Sequence, residues 1–218
     1  MKAEPATVPT IGHAPTKAIK LDVGCGILDE TKRQRYRRYG LIADQYVGVD
    51  IARVPGAGVV ADLDRQLPFR DESVDEIAAV HLLEHVRDLE ATMREFHRIL
   101  KPTGSLKVWV PHCFSAIAFG DTTHRRFFAY DSLSQFDPTH PTSYYYDFHF
   151  SFVESKMQVF RRWYQPRLLD RILEAFINRN QAKGQRLLKV LPYKEWEIFF
   201  HLKKHAPRLR SGLLMGGD

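Results

Sequence analysis

The sequence has little cysteine and no long apolar run, and each absence argues against a class of protein. Only two cysteines occur in 218 residues, Cys25 and Cys113. So few thiols cannot form the dense disulfide framework of a small secreted domain, and we interpret both as reduced. No run of about 18 or more uncharged apolar residues occurs, so we expect no membrane span. The first residues lack the apolar core of a secretory signal, which favours a cytoplasmic protein.

The residues that are present have the composition of one globular domain. The chain is 44% hydrophobic and 27% charged, and its length is sufficient for one domain with a substantial core. Residues 1–16 contain three prolines among small residues and are expected to be a flexible lead-in. Residues 206–218 are expected to be a loose tail. We therefore predict a single domain over residues 17–205.

Positive charge is concentrated towards the C-terminus. The net charge is +6, with +8 in residues 151–218 and −2 in residues 1–150. A further basic run, 32–38, lies in a segment that we predict to be helical from Glu30 to Arg38. Such charge either binds an anionic partner such as RNA or forms a solvated surface, and for the run 32–38 we favour the solvated surface.

Short apolar runs alternate with helical stretches in the first half of the chain. Asp88 is predicted to cap a helix whose apolar residues recur at helical spacing. The alternation predicts an α/β domain with a mostly parallel, doubly wound sheet and helices on both faces. Ligands bind such sheets at the carboxyl ends of the strands. The predicted strands are Ala18–Val23, Tyr46–Asp50, Gly58–Asp62, Val74–Val80 and Leu106–Val110.

The second half departs from this alternation. The region 112–150 is rich in histidine and aromatic residues without a regular period, and we predict that it covers the acceptor of a reaction. Pro166 is predicted to begin a helix whose apolar pairs recur every four residues and dock on the sheet. The run Trp196–Leu202 is predicted to be a final strand, antiparallel to an extended segment at 152–163.

The glycine turn at residues 20–26 is the strongest ligand-binding signal. A dinucleotide site has a third glycine where this chain has Asp29, which would repel a pyrophosphate. S-adenosylmethionine has no phosphate, and Asp22 can meet its cationic methionine end. Asp50, at a later strand end, can accept both ribose hydroxyls, and Asp62 with Leu63 can contact adenine.

Six motifs in a fixed order resemble class I S-adenosylmethionine-dependent methyltransferases, across residues 18–112. They are Leu21–Gly26, Gly48–Asp50, Ala61–Leu63, Leu67–Phe69, Leu83–Val86 and Ile99–Leu106. The resemblance implies a Rossmann-like, seven-stranded sheet with an antiparallel last strand, and S-adenosylhomocysteine as product. It departs at Leu28, where the family often has a small residue. It implies that the cofactor lies against Asp22, Gly24, Cys25, Gly26, Asp50, Ile51, Asp62, Leu63, His81 and Leu82.

A looser resemblance, from Val110 to Phe128, is to methyltransferases of bacterial glycan and small-metabolite pathways. Methyl transfer needs a base only where the acceptor must lose a proton, and histidine is suited to that task. The candidates are His112 and His124, the latter with Asp121; the alternative is that His112 caps a strand and His124 packs against phenylalanines. His85, in the Leu83–Val86 motif, is predicted to be structural or close to the cofactor. No histidine pair has the close spacing of a zinc motif, so we predict no metal site.

Three functions remain open from the sequence. The first is methyl transfer to a hydroxyl or amine of a small molecule, such as a sugar or secondary metabolite. The second is methylation of RNA through the basic segments. The third is a non-catalytic nucleotide-binding scaffold, because a fold alone does not determine a function.

Overall fold

The computed structural model of the protein describes residues 18–159, 168–188 and 195–205. The predictions for residues 1–16 and 206–218 concern residues outside these ranges, and so does Pro166, the predicted first residue of a helix. The described strands agree with the predicted ones to within a few residues, except that the fifth is longer. They are β1 Lys20–Val23, β2 Val47–Asp50, β3 Ala57–Val60, β4 Val74–Val80, β5 Leu100–Pro111, β6 His149–Val159 and β7 Trp196–His205.

The seven strands form one sheet in the order β3-β2-β1-β4-β5-β7-β6. The pairs within β3-β2-β1-β4-β5 are parallel, while β7 is antiparallel to both β5 and β6. The predicted fold, with an antiparallel last strand, is therefore confirmed. Because β1 to β4 are parallel, the loops after them meet at one edge of the sheet.

Five α-helices occur among the described residues: α1 Glu30–Arg38, α2 Leu89–Ile99, α3 Ala116–Phe119, α4 Leu168–Arg179 and α5 Gln181–Leu188. Asp88 caps α2 as predicted, because its carboxylate accepts the backbone N–H of Ala91. The face of α2 that carries Met93, Phe96 and Ile99 is fully buried against the sheet. No helix in the described ranges has the length and apolar character needed to span a membrane.

The packing of α4 agrees with the prediction only in part. Leu168, Leu169, Ile172 and Phe176 are all more than half exposed. The helix lies beside β6, which is the edge strand of the sheet. The Asn178 side chain exchanges two hydrogen bonds with the backbone of Met157 in β6, and Glu174 accepts the N–H of Val159. The strand edge needs polar partners, which Asn178 and Glu174 supply. Ile177 is fully buried in the core and Leu173 packs against it, so the predicted docking on the sheet holds for these two residues and fails for the other four.

The irregular region 112–150 divides into two parts. Leu133, Phe136 and Phe148 are buried in the main core, and Arg94 of α2 lies over the ring of Phe148 at 4.8 Å from its centroid. The earlier part, which includes α3, instead approaches the carboxyl ends of the strands. Of the region 112–150 that was predicted to cover the acceptor, only residues around 117–125 therefore lie near the carboxyl ends of the strands.

Candidate functional site

The glycine turn after β1 brings the backbone close to its neighbours. Gly24 and Gly26 have φ values of +72° and +53°, which favour glycine. The N–H groups of Gly24 and Cys25 both donate to the carbonyl oxygen of Val49 in β2. A side chain at Gly24 would also come within 2.7 Å of Leu82 Cδ1, so the turn and the loop after β4 touch directly.

Asp50, at the end of β2, is fixed by that turn. Its Oδ2 accepts the N–H of Gly26 at 2.7 Å, and its Oδ1 accepts the N–H of Ala52 at 3.0 Å. At the end of β3, Asp62 Oδ1 accepts the N–H of Asp64. Both carboxylates are thus held by backbone donors, and each oxygen retains lone-pair capacity for a ligand hydroxyl or amine.

A cavity of about 370 Å³, the main cavity, lies between these strand ends. Seven of the ten predicted cofactor residues line it: Gly24, Asp50, Ile51, Asp62, Leu63, His81 and Leu82. It is also lined by His85, which was predicted to be structural or close to the cofactor, and by Asp64, Arg87 and Arg125, which the sequence did not assign to the cofactor. Asp64 and Arg87 lie in or next to motifs that the sequence shows after β3 and β4, so they could have been predicted. Arg125 lies in no such motif, and the sequence gives no local signal for it.

Three predicted cofactor residues lie outside the lining. Gly26 is adjacent and contributes through its bond to Asp50. Cys25 is buried, and its Sγ packs against Gly48, where a side chain would come within 2.9 Å. Asp22 is buried and accepts a hydrogen bond of 2.6 Å from the Tyr36 hydroxyl, with Lys32 Nζ at 3.3 Å. Burial raises the pKa of Asp22, against the opposing effect of Lys32.

The basic helix α1 is in large part neutralised by the chain itself. Lys32 pairs with Asp22, Arg33 with Asp44, and Arg37 with Glu30. The acid that replaces the third glycine of a dinucleotide motif, Asp29, caps this helix by accepting the N–H of Lys32.

His81 links the main cavity to the core. Its φ of +52° is unusual for a residue with a side chain. Its Nε2 lies 3.1 Å from Glu197 in β7, and its Nδ1 lies 3.3 Å from Glu84. Burial opposes the charged ring, but the two carboxylates outweigh it and raise the pKa of His81 to about 9.

A second, smaller cavity of about 260 Å³, the side cavity, shares His81 and His85 with the first. Glu84, Asp121 and His124 also line it, together with Arg35, Pro111 and Ile117. The rings of His85 and His124 meet edge to face, with centroids 4.6 Å apart. Two of the three predicted catalytic residues, Asp121 and His124, are therefore brought to the edge where the cofactor residues lie.

The third predicted catalytic residue, His112, is elsewhere. It is fully buried; its Nδ1 accepts the N–H of Phe114 at 3.0 Å and its Nε2 lies 3.2 Å from Gln185 of α5. Burial lowers the pKa of His112, so the ring is neutral and fits this role. It does not line either cavity.

Part of the chain matches a known protein family. Residues 21–108 match the family described as the methyltransferase domain. The matched stretch runs from β1 through most of β5 and contains the glycine turn, Asp50 and Asp62. No curated protein matches the chain.

Solved structures with a similar fold include phosphoethanolamine N-methyltransferase 2 of Haemonchus contortus in complex with S-adenosyl-L-methionine. It is 15% identical, the match covers 88% of this chain and 50% of that one, and the TM-score is 0.50. The chain thus spans half the length of that protein. The YcgJ protein of Bacillus subtilis is also 15% identical over 87% of this chain and 93% of that one, with a TM-score of 0.51. At these identities the likeness shows the fold.

Proposed function

We propose that this chain, a member of the class I S-adenosylmethionine-dependent methyltransferases, transfers a methyl group to a hydroxyl or amine of a small molecule. The family, enzyme class and cofactor predicted from the motifs are confirmed by the domain match over residues 21–108 and the seven-stranded fold. The acceptor, and the glycan or small-metabolite subgroup, remain part of the proposal.

One observation supports the proposal most strongly. The strand-end carboxylates Asp50 and Asp62 line a single cavity together with Gly24, and backbone N–H groups hold each carboxylate. In the proposal, Asp50 accepts the two ribose hydroxyls and Asp62 with Leu63 contacts the adenine. The methyl-bearing sulfonium then lies towards His81 and Leu82, where the main cavity meets the side cavity.

The acceptor is proposed to enter the side cavity. A volume of about 260 Å³ suits a small molecule or one ring of a larger one. The rings of Phe119 and Phe127 stack on each other and remain about half exposed or more, which gives an apolar surface in the same segment. Methyl transfer is an in-line displacement, so positioning the acceptor atom supplies much of the rate. His124 faces this cavity, and we therefore favour it over the buried His112 as the acceptor-side histidine.

Calorimetry with S-adenosylhomocysteine tests the cofactor site. The Asp50→Ala variant should bind the ligand at least about tenfold more weakly, because hydrogen bonds to a charged group contribute about 1.5–3 kcal/mol each. Asp44→Ala is the matched control, since Asp44 is exposed and lies in a turn that does not line the main cavity. No binding by the wild-type chain would contradict the proposed function, and unchanged affinity of Asp50→Ala would contradict the ribose assignment. Transfer of labelled methyl groups to a panel of small hydroxyl and amine acceptors then tests the acceptor class.

A further inference from the structure

The side cavity contains a buried carboxylate, Glu84, that faces two histidines. Glu84 is 1% exposed, and neither of its oxygens has a hydrogen-bond partner among the described residues. Its carboxylate lies 3.3 Å from His81 Nδ1 and 4.0 Å from His124 Nε2. His81 supplies a counter-charge to Glu84, but neither carboxylate oxygen accepts a well-formed hydrogen bond among the described residues, so lone pairs remain for a further ligand in the cavity.

The two histidines are oriented by groups outside the cluster. His124 Nδ1 lies 2.9 Å from the carbonyl oxygen of Ala118 and must donate to it, which leaves the lone pair on Nε2. The Thr123 hydroxyl donates to Asp121 at 2.6 Å and therefore accepts from His85 Nδ1 at 2.9 Å. His85 Nε2 therefore also carries a lone pair that can bind a metal ion. A histidine whose second nitrogen donates to a carbonyl or carboxylate-linked group is the usual arrangement of a metal ligand.

We propose that Glu84, His85 and His124 bind one divalent transition-metal ion of the zinc or cobalt type. One ligand atom from each residue lies within 4.8 Å of the others. Bonds of about 2.0–2.2 Å to a tetrahedral ion place ligand atoms roughly 3.3 Å apart, so small side-chain rotations close the site. Two imidazoles and one carboxylate suit such ions, and three protein ligands leave a position open for a substrate oxygen.

The position of the cluster gives the ion a role in the proposed function, on which this inference rests. His81 and His85 line both cavities, so the ion lies between the cofactor's methyl end and the acceptor. Bound to the ion, an acceptor hydroxyl loses its proton to water more readily. Its oxygen then forms the bond to the methyl carbon while the carbon–sulfur bond breaks and its electron pair returns to sulfur. His124 thereby acts as a ligand rather than as a base.

Sequence spacing could not reveal this cluster. His85 and His124 are far apart in the chain, and only the approach of residues 117–125 to the loop after β4 brings them together. His81 does not depend on Glu84 alone for its counter-charge, because Glu197 contacts it from the other side.

Metal titration of the full chain, stripped with a chelator and desalted, tests the proposal without an activity assay. Zn²⁺ is followed by calorimetry and Co²⁺ by its visible absorption. We expect one ion per chain with a micromolar or tighter Kd, and a cobalt spectrum typical of nitrogen and oxygen ligands. Glu84→Gln and His124→Ala should weaken binding at least tenfold, and Thr123→Val, which removes the group that orients His85, by about tenfold.

His140→Ala is the matched control, since the described hydrogen bonds of the His140 side chain go only to Thr142 in its own segment, and the variant should leave binding unchanged. Absence of saturable binding, or binding that Glu84→Gln and His124→Ala leave intact, would overturn the metal site. If a variant fails to fold, as judged by circular dichroism, the wild-type cobalt spectrum still decides. Binding of S-adenosylhomocysteine, measured in parallel, shows whether the proposed function stands when the metal site does not.

Discussion

The glycine turn allows a prediction whose magnitude follows from the contacts of two glycines. Gly24 and Gly40 have nearly the same φ, +72° and +71°. A side chain at Gly40 meets nothing within 4 Å, whereas one at Gly24 meets Leu82 Cδ1 at 2.7 Å and its Cβ and Cγ at 3.3 Å. The pair therefore separates the cost of the backbone conformation from the cost of the contact between the turn and the loop after β4.

Gly40→Ala should destabilise the protein by about 1 kcal/mol. A left-handed conformation costs an L-residue roughly 1–2 kcal/mol, and the stiffer unfolded chain offsets about 0.4–1 kcal/mol of that. Gly24→Ala should lower the free energy of unfolding by about 1–3 kcal/mol more than Gly40→Ala, because the Cβ and Cγ of Leu82 must move within a packed region. For a chain of this size each kcal/mol lowers Tm by roughly 2–4 °C.

Binding provides the second readout for the same pair. Leu82 lines the main cavity, so its displacement in Gly24→Ala should weaken S-adenosylhomocysteine binding at least about tenfold, while Gly40→Ala should leave it unchanged. Calorimetry and thermal unfolding measure both effects. Equal Tm values and equal affinities for the two variants would refute the close approach of the turn to Leu82.

Two further substitutions test residues whose roles the structure redefines. Tyr36→Phe leaves the buried Asp22 carboxylate without its hydroxyl donor and should lower the free energy of unfolding by roughly 1–3 kcal/mol in denaturant titrations; Tyr145→Phe, at an exposed position, should change nothing. His112→Ala should destabilise by a similar amount of roughly 1–3 kcal/mol, because Phe114 and Gln185 lose a partner, yet leave S-adenosylhomocysteine affinity unchanged. A His112→Ala protein with normal Tm and lost turnover would restore His112 as the base.

The features of the site that depend on the backbone could be predicted from the sequence. The turn at 20–26, the strand ends at Asp50 and Asp62 and the capping residue Asp88 are local patterns of glycine, apolar runs and acids. Such patterns determine where a strand ends and which residue follows it. The order of parallel strands then brings these ends to one edge of the sheet without any long-range information.

The contacts of individual side chains could not be predicted in the same way, because each depends on a segment distant in the sequence. Asp22 looked available to a cationic ligand, but Tyr36 and Lys32 from α1 already contact it. Leu28, which departs from the family pattern, packs against Gly56, where any side chain would come within 2.6 Å of Leu28 Cβ. Gly56 has a φ of +106°. The small residue that the family often has at position 28 is therefore replaced by a glycine at position 56, in the loop that faces Leu28. A contact of this kind depends on two segments of the chain, so the sequence of either segment alone does not predict it.

A strained residue, His81, lies at the junction of the two cavities. His81 holds a left-handed backbone that costs of order 1–3 kcal/mol, and such conformations persist only where surrounding contacts fix them. Glu197, 116 residues away in the sequence, contacts the His81 ring and helps to fix it. The Tyr39 hydroxyl and the Gln158 amide hold Glu197 in turn. The strand β7 therefore does more than complete the sheet. By lying between β5 and β6 it carries a buried carboxylate to the end of β4, so the C-terminal part of the chain shapes a site whose recognisable motifs all lie in the first half.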